Sequence, residues 1–186
     1  MAESFTNSIV RAVGVVTTST AGSIGISTNL ITGISTTTVS VGDIIQTAHF
    51  LGGTKVQALG GSSGEVVADR DSTNVSAATA QNVKFLGITS AYTSAAGKKS
   101  ILIGGTFANN TDSQVNLTVE IFDQSVGVTT TGGTVALASK IPVPTGSSFV
   151  ISDAGKTVIE TSDEIRVFCD TANALDVTLG ILKGVS

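Results

Sequence analysis

Residues 158–182 read VIETSDEIRVFCDTANALDVTLGIL, and the period of this stretch decides the fold class. Ile165, Val167 and Cys169 alternate with Glu164, Arg166, Phe168 and Asp170. After Thr171, Ala172, Asn173 and Ala174, the residues Leu175, Val177, Leu179 and Ile181 alternate with Asp176, Thr178 and Gly180. A period of two puts one set on each face of a sheet. Two such runs joined by a few small and polar residues predict an antiparallel hairpin. The hairpin is expected to be the closing pair of a β-sandwich.

Composition agrees with strands. Of 186 residues, 41% are hydrophobic and only 13% are charged, where about 25% is usual. Val, Ile, Thr and Ser are plentiful, and there are 21 glycines. Such a composition favours strands and turns over long helices. The length fits one large domain or two small ones.

Charge and special residues exclude several functions. The net charge is −4 and the ten basic residues are scattered, with Lys98-Lys99 the one doublet. A nucleic-acid binder needs a basic face, so none is expected. The single cysteine rules out an intrachain disulfide. No run approaches the roughly 18 apolar residues of a membrane helix. The start, MAESFTNSIVRAVG, lacks the pattern of a signal peptide, and the expected site of synthesis and assembly is a reducing cytoplasm.

Along the chain, residues 1–8 read as a flexible arm, 9–95 as a Gly/Ser/Thr-rich β module, and 96–186 as an antiparallel β-sandwich. The boundary near residue 95 rests on the small, polar and basic run AYTSAAGKK. In the first module, Gly42-Asp43 predicts a tight turn before a buried strand at Ile44-Ile45. Residues 55–59 and 65–68 predict a hairpin, residues 71–81 a loop or short helix, and residues 83–89 a strand. In the second, residues 101–108 predict a strand kinked at Gly104-Gly105, and residues 115–122 a half-buried strand. A Gly/Thr-rich tip at 127–134, a strand to 141, a corner at Pro142 and Pro144, a strand at 148–152 and a turn at 153–155 follow. The apolar pair, small residue and Asp at residues 39–45 look like those at 158–165; common turn chemistry explains the likeness better than duplication.

Each candidate site has a plainer reading. His49 is the only histidine and has no metal-ligand or triad partner nearby, so it reads as a strand-end residue. Cys169 shares a face with Ile165 and Val167 and reads as a core thiol. Asp69, Asp71 and Asn74 have part of the spacing of a calcium loop but lack its Gly and closing Glu, and read as an Asp-rich turn. Glu160, Asp163 and Glu164 read as a solvated turn. Gly52-Gly53 and Gly104-Gly105 do not open helices, so neither cradles phosphate. Aromatic residues are 4% of the chain, with no Trp and one Tyr, Tyr92, which weighs against sugar-binding faces and base-stacking platforms. No catalytic residue, metal ligand or cofactor is expected.

The segment NSIVRAVGVVTTSTAGSIGISTNLITGISTTTVSVGDII, with GGTKVQALGG and VVADRDSTN after it, resembles Gly/Ser/Thr-rich segments of tailed-bacteriophage virion proteins. The segments SILIGGTFANNTDSQVNLTVEIFD, ASKIPVPTGSSFVISDAGKTVIETSDEIRV and ANALDVTLGILKGV resemble a small β-sandwich module of phage structural proteins, nearest to those of cyanobacterial myoviruses. The resemblance covers most of the chain and implies a virion component without an active site. The expected function is a capsid decoration (cement) protein bridging capsid subunits. A neck, tail or fibre component is the first alternative, and a carbohydrate-recognition module the second. The expected partners are the major capsid protein or neck and tail subunits, and further copies of the chain, with neither nucleic acid nor membrane. A surface with so few charges is poorly defended against association, which fits a protein meant to be covered.

Overall fold

A computed structural model describes residues 3–14, 16–62, 64–126, 133–152 and 157–185. The chain is all-β. Its strands are β1 (Ser4–Val13), β2 (Val16–Ile24), β3 (Leu30–Thr32), β4 (Ile44–Gln46), β5 (Val56–Leu59), β6 (Val66–Ala68), β7 (Ala78–Leu86) and β8 (Thr89–Thr93). They continue as β9 (Lys99–Asn109), β10 (Val115–Phe122), β11 (Thr134–Val143), β12 (Ser148–Ile151), β13 (Thr157–Ile159), β14 (Glu164–Cys169) and β15 (Leu175–Val185). Among the described residues the one helical element is a 3-10 turn, Gln124–Val126.

Two compact units form, and their boundaries differ from those expected. One contains residues 1–14 and 89–186, the other residues 15–88. Most of the expected arm is strand: Ser4 to Val10 pair in unbroken register with Lys183 to Val177 of β15. The boundary lies at residues 88–89 instead of near 95, and a second one lies at 14–15. The middle unit is thus an insertion between the first strand of the sandwich and the rest of it. Composition could not reveal this, because pairing of the first strand with the last is a long-range choice made by backbone hydrogen bonds.

The sandwich unit has two antiparallel sheets. One is ordered β1-β15-β9-β12, with β13 also on β9; the other is ordered β11-β10-β14-β8. Alternate residues face inward from both. Phe107, Leu102, Val177, Leu179 and Ile181 come from the first sheet, and Leu117, Val119, Ile165, Val167 and Cys169 from the second. The period-two pattern of residues 158–182 therefore identifies the layer correctly, but the expected hairpin does not exist. β14 belongs to one sheet and β15 to the other, and residues 170–174 carry the chain across the core. A hairpin and a crossing of this kind need the same alternation, so local sequence cannot separate them.

The crossing is held by close backbone contacts. Ala174 N–H donates to the Val13 carbonyl (2.9 Å) and Asn173 N–H to the Gly14 carbonyl (3.2 Å). The Cys169 thiol donates to the carbonyls of Thr171 (3.0 Å) and Val13 (3.6 Å). Gly14 has φ +93°, and a Cβ there would drive into the Thr171 carbonyl oxygen and the Cys169 sulfur.

In the sandwich, β9 runs unbroken through Gly104-Gly105, with a register shift against β15 at Gly180/Ile181. β10 is more buried than a half-buried strand should be, since Thr118, Glu120 and Phe122 are buried along with Val115, Leu117 and Val119. Arg166 lies 3.6 Å over the Phe122 ring and helps to cover that face. Pro142 sits in edge strand β11, where a missing N–H is tolerated. The expected tip at 127–134 and the turn at 153–155 fall largely or wholly outside the described residues.

In the inserted unit a six-stranded sheet is ordered β4-β7-β2-β3-β6-β5. Its two ends meet. Gly42 N–H donates to the Val56 carbonyl, Val56 N–H to the Asp43 carbonyl, and Ile45 N–H to the Thr54 carbonyl, all between 2.7 and 2.8 Å. The sheet closes into a small barrel, which removes its edges. Ile24, Ile31, Ile45, Val66, Val83 and Phe85 help to fill the interior. The predicted hairpin of residues 55–59 and 65–68 is β5 and β6. Residues 78–86 form strand β7, so no helix lies in 71–81. β2 and β7 pair with Val16 opposite Leu86, so both ends of the insertion emerge together.

Gly14→Ala is expected to destabilise the chain by about 2–4 kcal/mol, because it combines backbone strain with overlap at a site that cannot relax. Gly146→Ala, with φ +63° and open space around its Cβ, is expected to cost only about 1–2 kcal/mol. Urea unfolding of the two variants checks the ranking.

Candidate interaction face

The residues singled out by sequence do not converge. His49 Nε2 lies 3.0 Å from Gln81 Oε1 in the barrel, and its backbone carbonyl accepts from Thr73 N–H. Asp69 accepts from Lys55 N–H (3.0 Å) and from Arg70 (3.3 Å), which ties it to the start of β5. Asn74 donates to the carbonyls of Ser76 and Ile24, and the Ser72 hydroxyl to that of Gly25, so this loop is stitched to the β2–β3 turn. Among the described residues no group of three or more His, Cys, Asp or Glu is placed to hold a metal ion.

The carboxylates of residues 160–164 separate too, and one of them is not solvated. Glu160 pairs with Lys99 (2.9 Å) and Glu164 with Arg166 (2.8 Å). Asp163 is buried, and its carboxylate accepts from Gln124 N–H (3.0 Å) and Glu160 N–H (3.2 Å). The same turn is built in the barrel. Asp43 accepts from Ser40 N–H through its side chain and donates its own N–H to the Ser40 carbonyl, as Asp163 does with Glu160. The third residue of each turn has positive φ, Gly42 at +96° and Ser162 at +65°, as a type II turn requires. The two turns share chemistry, while the sheets they serve differ in strand order.

Burial pushes the Asp43 carboxyl above its usual 3.8, and the Ser40 N–H offsets only part of the rise. Burial likewise pushes the Cys169 thiol up, aided to a smaller extent by the Asp170 charge. A buried thiol with its one S–H between the Thr171 and Val13 carbonyls is a core residue, not a nucleophile.

A run of exposed apolar side chains lies where no motif marked it, on the outer face of the five-stranded sheet. Strand register sets residues side by side in rows. Phe5 is opposite Leu182, Leu182 opposite Ile101, and Ile101 opposite Val158. The next row on this face is Asn7, Gly180 and Gly104, and the one after is Ile9, Thr178, Thr106 and Val150. Phe5 is 77% exposed, Ile9 67%, Val150 55% and Val158 49%. No ionisable side chain stands in these three rows. An ion pair closes each end, Arg11 with Asp176 (3.8 Å) and Lys99 with Glu160 (2.9 Å). The two glycines keep the middle of the face low between two apolar ridges. Exposed apolar side chains also occur elsewhere, at Val41, Val75 and Val135 among others, but here strand register sets several of them side by side on one uncharged sheet face, which makes it the candidate for covering by a partner.

An open groove of about 400 Å³ runs along β2, β3 and the start of β7. It is lined by small, hydroxyl and aliphatic side chains, among them Ser23, Thr28, Leu30 and Thr79. It offers no acid, base or aromatic platform. No family model, curated protein or solved structure matches the chain.

Asp43 binds its proton more tightly folded than unfolded, so its contribution to stability falls as pH rises from the unfolded value through the folded one. Asp43→Asn keeps an oxygen for the Ser40 N–H and removes the buried charge. It is expected to raise the melting temperature near pH 7, with the gain shrinking below about pH 4; calorimetry across that range checks it. Cys169 is expected to resist iodoacetamide in the native chain near about pH 8 and to react fully in urea, as read by intact mass.

Proposed function

We propose that this chain is a non-enzymatic structural protein of a tailed-phage virion, acting as a capsid decoration (cement) protein that bridges capsid subunits. The observation that carries the assembly role is the uncharged outer face of the five-stranded sheet, with its exposed Phe5, Ile9, Val150 and Val158. The sequence resemblance to phage virion proteins supplies the particle. The mechanism is adhesive. Docking this face removes apolar area from water, at about 25 cal/mol per Å² before association costs. The flanking ion pairs remain at the polar rim, as in other interfaces. The dispersal of His49, Cys169 and the carboxylates into separate structural contacts supports a binding role over a chemical one.

Gel densitometry of purified virions tests the position in the particle. Hundreds of copies support decoration, whereas a few copies, as in a neck or fibre, overturn it. Val150→Lys and Val158→Lys place a charge in the face at exposed positions. Both variants are expected to fold normally and to be lost from particles in a capsid-binding assay.

A further inference from the structure

The geometry points to a homodimer in which β1 of one copy pairs antiparallel with β1 of a second copy about a twofold axis at Asn7. This deepens the assembly reading by naming a partner, and it rests on that reading for its purpose.

β1 is an edge strand, bonded through the sheet only to β15. The other described edges of the sandwich are defended. β11 carries a register shift with Lys140 at φ +52°, and Pro142 follows two residues on. β12 and β13 have four and three residues, and β8 has five and a register shift of its own. β1 carries such a shift, with Ala12 at φ +59°, only at its far end; from Ser4 to Val10 it runs without a shift, a proline or a charge. Seven consecutive edge residues with no such device are a template for another strand.

The second copy is singled out by the sequence of the strand. The outward-facing residues of β1 are Phe5, Asn7, Ile9 and Arg11, and Glu3 immediately precedes the strand in the same alternation. A twofold axis at Asn7 places residue i opposite residue 14 − i of the partner copy. Glu3 then faces Arg11, Phe5 faces Ile9, and Asn7 faces itself. The pattern is acidic, apolar, polar, apolar, basic, and it becomes complementary to itself only when read antiparallel. The parallel arrangement in register would set Glu3 on Glu3 and Arg11 on Arg11. Directly opposed pairs of this kind, aromatic on β-branched and acid on base, are the favourable ones in antiparallel sheets. An isologous contact closes at two copies and so consumes the open edge without growing a fibre. It also joins two five-stranded sheets edge to edge, so that the exposed face of one copy continues into that of the next.

The test uses the full chain. Light scattering over a dilution series is expected to give twice the 18.6 kDa chain mass. Ile9→Lys, at an exposed position, is expected to give a monomer with unchanged circular dichroism and melting temperature. Glu3→Arg and Arg11→Glu are each expected to weaken the dimer about tenfold, since each sets like charges opposite one another. An equimolar mixture of the two variants is expected to restore dimers, because the mixed pair regains both opposite-charge contacts. Asn7→Cys is expected to cross-link on oxidation, since directly opposed strand residues lie within disulfide reach, while Thr106→Cys on the same face is not. A monomer at every concentration, a dimer that survives Ile9→Lys, or a mixture that fails to restore dimers overturns the proposal. A monomeric native chain that still loads onto capsids would sink the dimer and leave the decoration reading standing; a dimer that never enters particles would do the reverse.

Discussion

The crossing at residues 169–174 is the constraint on which the rest of the sandwich depends. It brings the end of β14, the start of β15 and the end of β1 into one small volume. Backbone N–H groups of Asn173 and Ala174 are satisfied by the carbonyls of Gly14 and Val13, and the Cys169 thiol fills the remaining space. Gly14 is the one residue type that fits, because its φ is positive and its α-carbon faces a carbonyl oxygen. Once this contact forms, the two sheets are set face to face and β1 is committed to β15. The chain also leaves for the inserted unit from this point.

The inserted barrel solves the edge problem by closure, while the sandwich leaves edges open. Closure rests on the meeting of β4 with the start of β5, directed by the Asp43 turn. The equivalent turn at Asp163 steers the entry to β14. In both, a carboxylate withdrawn from water is tolerated because it accepts backbone N–H groups that the turn would otherwise leave unpaired. The same local device thus serves two unlike architectures.

Much of the strand inventory was legible. Alternation marked β10, β14 and β15, apolar runs on either side of Gly104-Gly105 marked β9, and Gly-Asp marked the turn before β4. The core residues Ile165, Val167, Cys169, Leu175, Val177, Leu179 and Ile181 could be read from their period alone. The exposed sheet face was half legible. Low charge led to the expectation of a covered surface, but Phe5 and Ile9 looked like members of an arm and an apolar run. Their place beside Leu182, Thr178 and Val150 depends on a pairing between strands some 170 residues apart in sequence.

What the sequence determined by itself was the all-β class, the inward face of most strands and the positions of the principal turns. These are short-range properties, written in a period of two and in residues that accept positive φ or lack an N–H. Tertiary structure alone decided that β14 and β15 lie in opposite sheets, that β1 closes the sheet formed with the last strand, and that residues 15–88 are an insertion. The reason is that alternation states which side of a strand is buried and is silent on which strand lies beside it. That choice belongs to backbone hydrogen bonds, which every residue but proline can make, and to the packing of two faces that only meet once the chain has folded.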